Sequence, residues 1–331
     1  MFYSAYMGEQ LFELRRRTFN TPHFAGIEFI EVESKSIINS VPGNYLPFNW
    51  TINAYRGCSH ACVFCFARKT HTYMDMNAGK DFETKIVVKV NAPQLLRKEL
   101  RARKWKGEGI AMGTATDPYQ RAEGKYRLTR GIIETLTEYR NPFSILTKGT
   151  LILRDLDLLV EAAKVTEVST AFSIATLDED AWRKSEPGTP HPRKRIETVA
   201  RLNDAGIPCG VLVAPILPGI TDGEEHVRAV VEAAIDAGAS HVSPILLHLR
   251  PTVKEVYMEW LEQTYPDLVP RYKEMYRGAY ASKADQRSLG VTVRRIIESA
   301  GGLKPRVKAR GPWRHPRAER TAKPTEQLSL L

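Results

Sequence analysis

The chain reads as an α/β protein organised on a parallel β-sheet, and three observations lead there. Short apolar runs rich in β-branched residues recur between residues 51 and 247. Segments with the apolar spacing of amphipathic helices separate them, the alternation that βα units produce. At 331 residues the chain is long enough for one large α/β barrel or two ordinary domains. Six or seven such units in a row favour an open or nearly closed barrel over a doubly wound sheet, although periodicity alone does not decide closure.

Residues 1–49 hold too few apolar side chains for a core of their own and read as a cover segment. It comprises a short helix over 9–17, a strand-like run over 26–32, and a turn-rich approach through Pro42, Gly43, Asn44 and Pro47. Predicted strands follow at 51–55, 86–90, 109–114, 143–147, 168–174, 211–216 and 242–247. Predicted helices lie over 93–103, 129–139, 155–164, 193–205 and 224–237. In the first of these, Leu95, Leu96 and Leu100 share a face behind an N-cap at Asn91; Gly206 and Gly238 stand where C-terminal caps are expected. Residues 50–250 therefore form the core unit. Residues 251–303 turn to aromatic and charged helical sequence, over 253–265, 272–276 and 291–299, and read as a helical extension packed on the barrel. From 304 to 331 Pro, Arg and Lys dominate without an apolar period, the composition of a disordered basic tail.

The net charge of +10 would attract polyanions, but much of the excess sits in 101–106 and the tail. A solvated helix face and a disordered tail account for those runs without nucleic acid. Four cysteines, three of them in one metal-type cluster, indicate a reducing compartment rather than a disulfide framework. The first residues lack a signal peptide's apolar core, and the longest apolar runs, such as 211–217, are too short to span a bilayer. A cytoplasmic protein without membrane contact is expected.

The chemistry concentrates in YRGCSHACVFCF, residues 55–66, which holds Cys58, Cys62 and Cys65. Intervals of three and two residues let one tight loop aim three sulfurs at a single metal centre, as ferredoxin-type runs do for an iron–sulfur cluster. Three protein ligands on a four-iron cluster leave one iron open to a small molecule, much as a catalytic zinc keeps an open position. The other readings are a zinc ion completed by His60 or His71, or three cysteines that are merely close. A closed zinc site usually pairs its ligands at both ends, and the chain has no second CxxC or HxxxH.

In barrels of this kind, active-site groups come from the C-terminal ends of the strands. There stand Cys58; Thr114, Thr116 and Asp117; Lys148; Ser173 and Thr176; residues 215–219; and His248 with Arg250. Hydroxyls and backbone groups suit an ammonium, a lysine suits a carboxylate, and small polar residues suit a ribose, so the set fits a zwitterionic, ribose-bearing cofactor. Singly, each also serves as an ordinary turn or cap residue. Glu186 and residues 193–195 flank Pro187, Gly188 and Pro190, as either a substrate-facing loop or a helix start near Pro192. Tyr119 and Arg121 point toward the same mouth. Tyr257, Trp260 and Tyr265 read as core at helical spacing before they read as a base-stacking platform.

Residues 58–65 resemble the CxxxCxΦC signature of the radical S-adenosylmethionine (SAM) enzymes, with Phe64 at the aromatic position. YRGC, TDPYQ followed by KYRLTR, ILTKG, SIATLDED, EPGTP and VLVAPILPG are similar, in this order over roughly 49–248, to the group that includes spore photoproduct lyase. The resemblance implies a partial (β/α)6 TIM-type barrel, on which 86–90 is an extra edge strand. It implies a [4Fe-4S] cluster on Cys58, Cys62 and Cys65, with the open iron chelated by the amino and carboxylate groups of SAM and Phe64 along the adenine. Gly113, Thr114 and Thr116 would then face the amino group, Lys148 and Ser173 the carboxylate and ribose, and Ile216 would open the adenine-side strand end at 216–219. The implied activity is reductive cleavage of SAM to a 5′-deoxyadenosyl radical that abstracts hydrogen from a substrate the sequence does not name, with a flavodoxin- or ferredoxin-type electron donor. One departure matters. The lyases carry a hydrogen-donating cysteine where Thr114 stands here, so photoproduct repair is not expected; the fourth cysteine, Cys209, reads as a small buried hydrophobe. The alternative is a nucleic-acid-binding iron–sulfur protein with a structural cluster, related to DNA repair, whose basic segments grip phosphates.

Overall fold

The computed structural model describes residues 15–43 and 46–308. Its strands are β1 (Arg15–Arg17), β2 (Glu28–Val32), β3 (Ile38–Ser40), β4 (Trp50–Ile52), β5 (Tyr55–Arg56), β6 (Lys85–Lys89), β7 (Ile110–Met112), β8 (Phe143–Thr147), β9 (Val168–Ser173), β10 (Cys209–Ile216) and β11 (Val242–Leu246). The larger sheet runs β11-β10-β9-β8-β7-β4-β3, parallel throughout except for β3, which pairs antiparallel with β4. Each parallel strand lies beside its successor, the order of a partial βα barrel whose edges are β11 and β3. Helices Ala92–Arg101, Leu128–Glu138, Leu156–Val165, Pro192–Asp204 and Glu224–Asp236 make the crossovers. Lys283–Ser299 packs against β11 and Glu224–Asp236, taking the place of a last barrel helix. It starts well before the predicted 291 because the Ser282 hydroxyl caps it, accepting from Asp285 N at 3.1 Å.

The burial follows the sequence pattern. β10, in the sheet interior, is buried at most positions on both faces, whereas β8 alternates, with Phe143, Ile145 and Thr147 inward. Leu96, Leu136, Leu159, Val199 and Val230 bring the helices onto the sheet and are wholly buried, at about 1.5–3 kcal/mol for each such side chain. Gly206 and Gly238 close their helices in left-handed backbone, as expected.

Three expectations change. The run 51–55 is two strands in two sheets, broken at Asn53, whose amide donates to Thr114 Oγ1 (3.1 Å) and accepts from Ala115 N (2.9 Å). The run 86–90 is no edge strand of the barrel. It forms β6, interior to a second sheet of order β1-β2-β6-β5. Residues 15–17, expected to be helical, are β1, where Arg16 and Arg17 pair across the strands with Glu28 (2.8 Å) and Glu31 (2.7 Å); residues 9–14 of that predicted helix lie outside the described residues.

The N-terminal segment is stitched in rather than laid over. Asn91 occupies its N-cap position, yet its side chain bonds Ser34 N and O, both at 2.9 Å, while the Glu99 carboxylate accepts from Ile37 N (2.9 Å) and Ile38 N (2.8 Å). Residues 304–308 are anchored by Arg306, which pairs with Asp204 and donates to Asp236 O (3.2 Å); the rest of the predicted tail lies outside the described residues. Among the described residues no helix is long and apolar enough to cross a membrane.

Candidate active site

At the C-terminal ends of the strands, several loops converge on residues 57–66. Cys58 and Cys62 are each 6% exposed, Cys65 is partly exposed, and all three are free thiols. The backbone of this loop is braced from three sides. From the segment after β7, Thr116 Oγ1 and Gln120 Nε2 donate to Gly57 O (2.6 and 2.9 Å), and Gln120 Oε1 accepts from Ser59 N (3.0 Å). From the segment after β9, Ser185 O accepts from Val63 N and Gly188 N donates to His60 O, both at 3.0 Å. A Cβ on Gly188 would stand 2.1 Å from Ser59 O, so only glycine allows that contact. From beneath, the wholly buried Arg68 donates to Cys62 O from Nε (3.1 Å) and Nη2 (2.8 Å).

Charged groups surround the loop. Asp117 accepts from Thr147 Oγ1 (2.6 Å), Lys148 N (2.7 Å) and Tyr119 N (2.8 Å), and faces His60 Nδ1 at 3.3 Å. Burial alone would raise its pKa, but the His60 ring and the hydrogen-bond donors outweigh that and hold the carboxyl below the usual range. Lys148 Nζ donates to Ser173 Oγ (2.7 Å) and Glu186 Oε1 (2.6 Å) and lies 5.7 Å from the centroid of the Phe64 ring. The other Glu186 oxygen meets Arg195 at 2.6 Å, and Arg195 also donates to Ser173 O (3.1 Å) and Pro190 O (2.8 Å). Burial would push the Glu186 carboxyl up; Arg195 and Lys148 more than reverse this and leave it low. Within this trio two cations face one carboxylate, an excess positive charge that suits an incoming anionic group.

The predicted residues are not all used alike. Phe64, Lys148 and Ser173 come together beside the cysteine loop. Gly113 makes the turn after β7 at φ +90°, where a Cβ would fall 1.9 Å from Leu146 O. Thr114 is engaged with Asn53, and the Thr116 hydroxyl is turned onto Gly57 O. Ile216 ends β10 with its side chain wholly buried and its carbonyl accepting from Leu247 N (3.1 Å). Thr176 Oγ1 accepts from Asp178 N (3.0 Å), an ordinary turn. Arg121 N donates to Ser59 Oγ (3.3 Å), and Tyr119 is buried. His248 packs on Tyr280, with ring centroids 4.7 Å apart, and Arg250 donates to the Tyr280 hydroxyl (3.0 Å). Cys209 begins β10 at the opposite end of the sheet, wholly buried, and burial pushes its thiol up to about 12. Tyr257 is core, its hydroxyl 3.0 Å from that of Tyr272. Glu186 and residues 193–195, read as either a substrate-facing loop or a helix start, contribute the buried Glu186–Arg195 pair; Arg68 and the bracing by Gln120 were missed as parts of the site, and long polar side chains just after CVFCF and TDPY were the available signal.

A family profile described as Radical SAM superfamily matches residues 52–232. The chain belongs to the radical SAM superfamily. The match runs from the last residue of β4 into the helix Glu224–Asp236 and so includes the cysteine loop and its braces. A protein of Mycobacterium tuberculosis (strain ATCC 25618 / H37Rv) is 47% identical over 283 residues, 85% of this chain and 83% of that protein. One of Methanocaldococcus jannaschii is 33% identical over 201 residues, 60% of this chain and 71% of its own. Among solved structures, spore photoproduct lyase complexed with dinucleoside spore photoproduct is similar in fold, with a TM-score of 0.63, 19% identity, and coverage of 85% of this chain and 81% of the lyase.

Membership of the radical SAM superfamily implies a [4Fe-4S] cluster and SAM, and the donor set fits them. Burial pushes the Cys62 and Cys65 thiols up, Cys65 to about 11, so metal loading must displace their protons. No three His, Cys, Asp or Glu side chains among the described residues converge on one ion-sized point.

Proposed function

We propose that this radical SAM enzyme holds its cluster on Cys58, Cys62 and Cys65, receives SAM against Phe64, Lys148 and Ser173, and abstracts hydrogen from an organic substrate entering at the barrel mouth. The observation that carries the reading is the placement of Lys148: its ammonium is fixed by Ser173 and Glu186 and lies over the Phe64 ring, beside the cysteine loop. When bound, the cluster and SAM supply a one-electron reductive cleavage that generates a 5′-deoxyadenosyl radical.

The chain's own groups bind and orient. Lys148 has two of its three N–H donors engaged by side chains, leaving the third for the SAM carboxylate. Ser173 donates to Ala214 O (2.7 Å) and accepts from Lys148, so one lone pair is left for a ribose hydroxyl. The Phe64 ring supplies a flat apolar face for adenine, and Ile216, its side chain sealed in the core, offers only backbone at 216–219. The tight turn at Gly113, with Thr114 and Thr116, frames the side toward the SAM amino group. Buried polar groups already bonded to one another keep bulk water from the centre.

The electron donor is a low-potential protein of the flavodoxin or ferredoxin type. Photoproduct repair is disfavoured because Thr114 carries no thiol and Cys209 lies at the far end of β10. A nucleic-acid grip by 101–106 is disfavoured as well, because that stretch precedes β7, at the end of the sheet opposite the cysteine loop. Anaerobic reconstitution with iron and sulfide, then dithionite and SAM, tests the reading: SAM-dependent release of 5′-deoxyadenosine is expected. A fully loaded cluster that releases none, even without substrate coupling, would overturn it.

A further inference from the structure

We infer that Arg68 is a positioning residue that raises the reduction potential of the cluster, with Glu83 opposing it; the inference rests on the cluster assignment proposed above. Arg68 is 0% exposed, yet it carries a full charge in the interior. Its protons are met almost entirely by backbone: Cys62 O twice, Ala61 O (3.4 Å), Ala78 O (3.0 Å) and Gly79 O (2.9 Å). Carbonyls satisfy hydrogen bonds but bring no net charge. The balancing charge comes from Glu83, whose side chain is 30% exposed and so is partly screened by water. A cation buried more deeply than its counter-ion projects a net positive field inward.

That field falls on the metal loop. Arg68 stands three residues after Cys65 and holds the carbonyl of Cys62 directly through two of its nitrogens. Reduction adds one electron from the external donor to the cluster and changes nothing else, so a fixed cation in this interior stabilises the reduced state over the oxidised one. The surroundings temper the effect without reversing it. Phe82 lies against the guanidinium, 5.3 Å from its ring centroid, while Asp81 and Lys85 pair with each other at 3.0 Å.

A purely architectural Arg68, one that only knits the loop, predicts loss of cluster on substitution but no systematic movement of potential. The two readings separate in a redox titration of full-length reconstituted protein, with the reduced cluster followed by electron paramagnetic resonance. Arg68→Gln is expected to lower the one-electron reduction constant about tenfold, about 59 mV toward negative potential. Glu83→Gln should move it the opposite way by about threefold. Arg68→Lys, which keeps the charge but not the planar fork, should hold the potential within about twofold of wild type while lowering the melting temperature of the metal-free protein. A Glu83→Gln protein whose potential is unchanged, or more negative, overturns the inference even if Arg68→Gln takes up no cluster. Failure of wild type to take up a cluster overturns the functional reading instead.

Discussion

At the N-terminal ends of the parallel strands the interior is packed from uncharged side chains, with Cys209 and Val211 wholly buried and Asn203 bonded to the backbone of Cys209, and charged pairs such as Arg306 with Asp204 lie outside. At the C-terminal ends the arrangement inverts: Asp117, Lys148, Glu186 and Arg195 are drawn inside and bonded to one another. Desolvating ion pairs costs several kcal/mol per ion and seldom returns a net gain in stability. A barrel that concentrates such groups at one end, and leaves the other to packing, marks the charged end as the place where chemistry is done.

The sharpest way to break this contrast is with the cysteines. Alanine at Cys58, Cys62 or Cys65 should abolish iron binding and take 5′-deoxyadenosine below detection, while Cys209→Ala leaves both intact; loss in both places would erase the distinction between the ends. Ion pairs come next. Glu186→Ala strands Lys148 and Arg195 in the interior and should cost about 3–5 kcal/mol in urea unfolding. Asp204→Ala, removing the exposed partner of Arg306, should cost about 0–1 kcal/mol.

Packing gives a smaller effect. Gly188→Ala, whose methyl would meet Ser59 O at 2.1 Å, should lose about 1–3 kcal/mol and release iron faster to a chelator. Acidity gives the smallest. The Glu186 carboxyl is lower in the folded chain than in the unfolded one, so its contribution is complete above the unfolded value and is lost as pH falls through the folded value. A melting series in acid should show that decline in wild type and a shallower one in Glu186→Gln.

The barrel was legible because its signal is local and periodic: the run at 143–147 became β8 with the same bounds, and the helix predicted over 193–205 formed at Pro192–Asp204. The cysteine loop was legible as a candidate because its three thiols lie within a stretch of eight residues, 58–65. What stayed hidden depends on side chains meeting across distant sequence. Asn53 reads as one residue of a strand until its amide finds Thr114 and Ala115, some sixty residues on, and divides the run between two sheets. Asn91 reads as a helix cap until Ser34 claims it, and Lys148 with Glu186 gives no warning because their separation of 38 residues carries no period. Strand runs announce themselves; loop-to-loop meetings do not.

The triple bracing of residues 57–66 has a consequence for the cluster proposed there. Carbonyls and amides of that loop are matched by Thr116, Gln120, Gly188 and Arg68, so the chain itself holds its shape. On the assignment proposed above, a centre destroyed by oxygen would be rebuilt in place, with the surrounding chain still folded, because renewal would ask the polypeptide for no new shape.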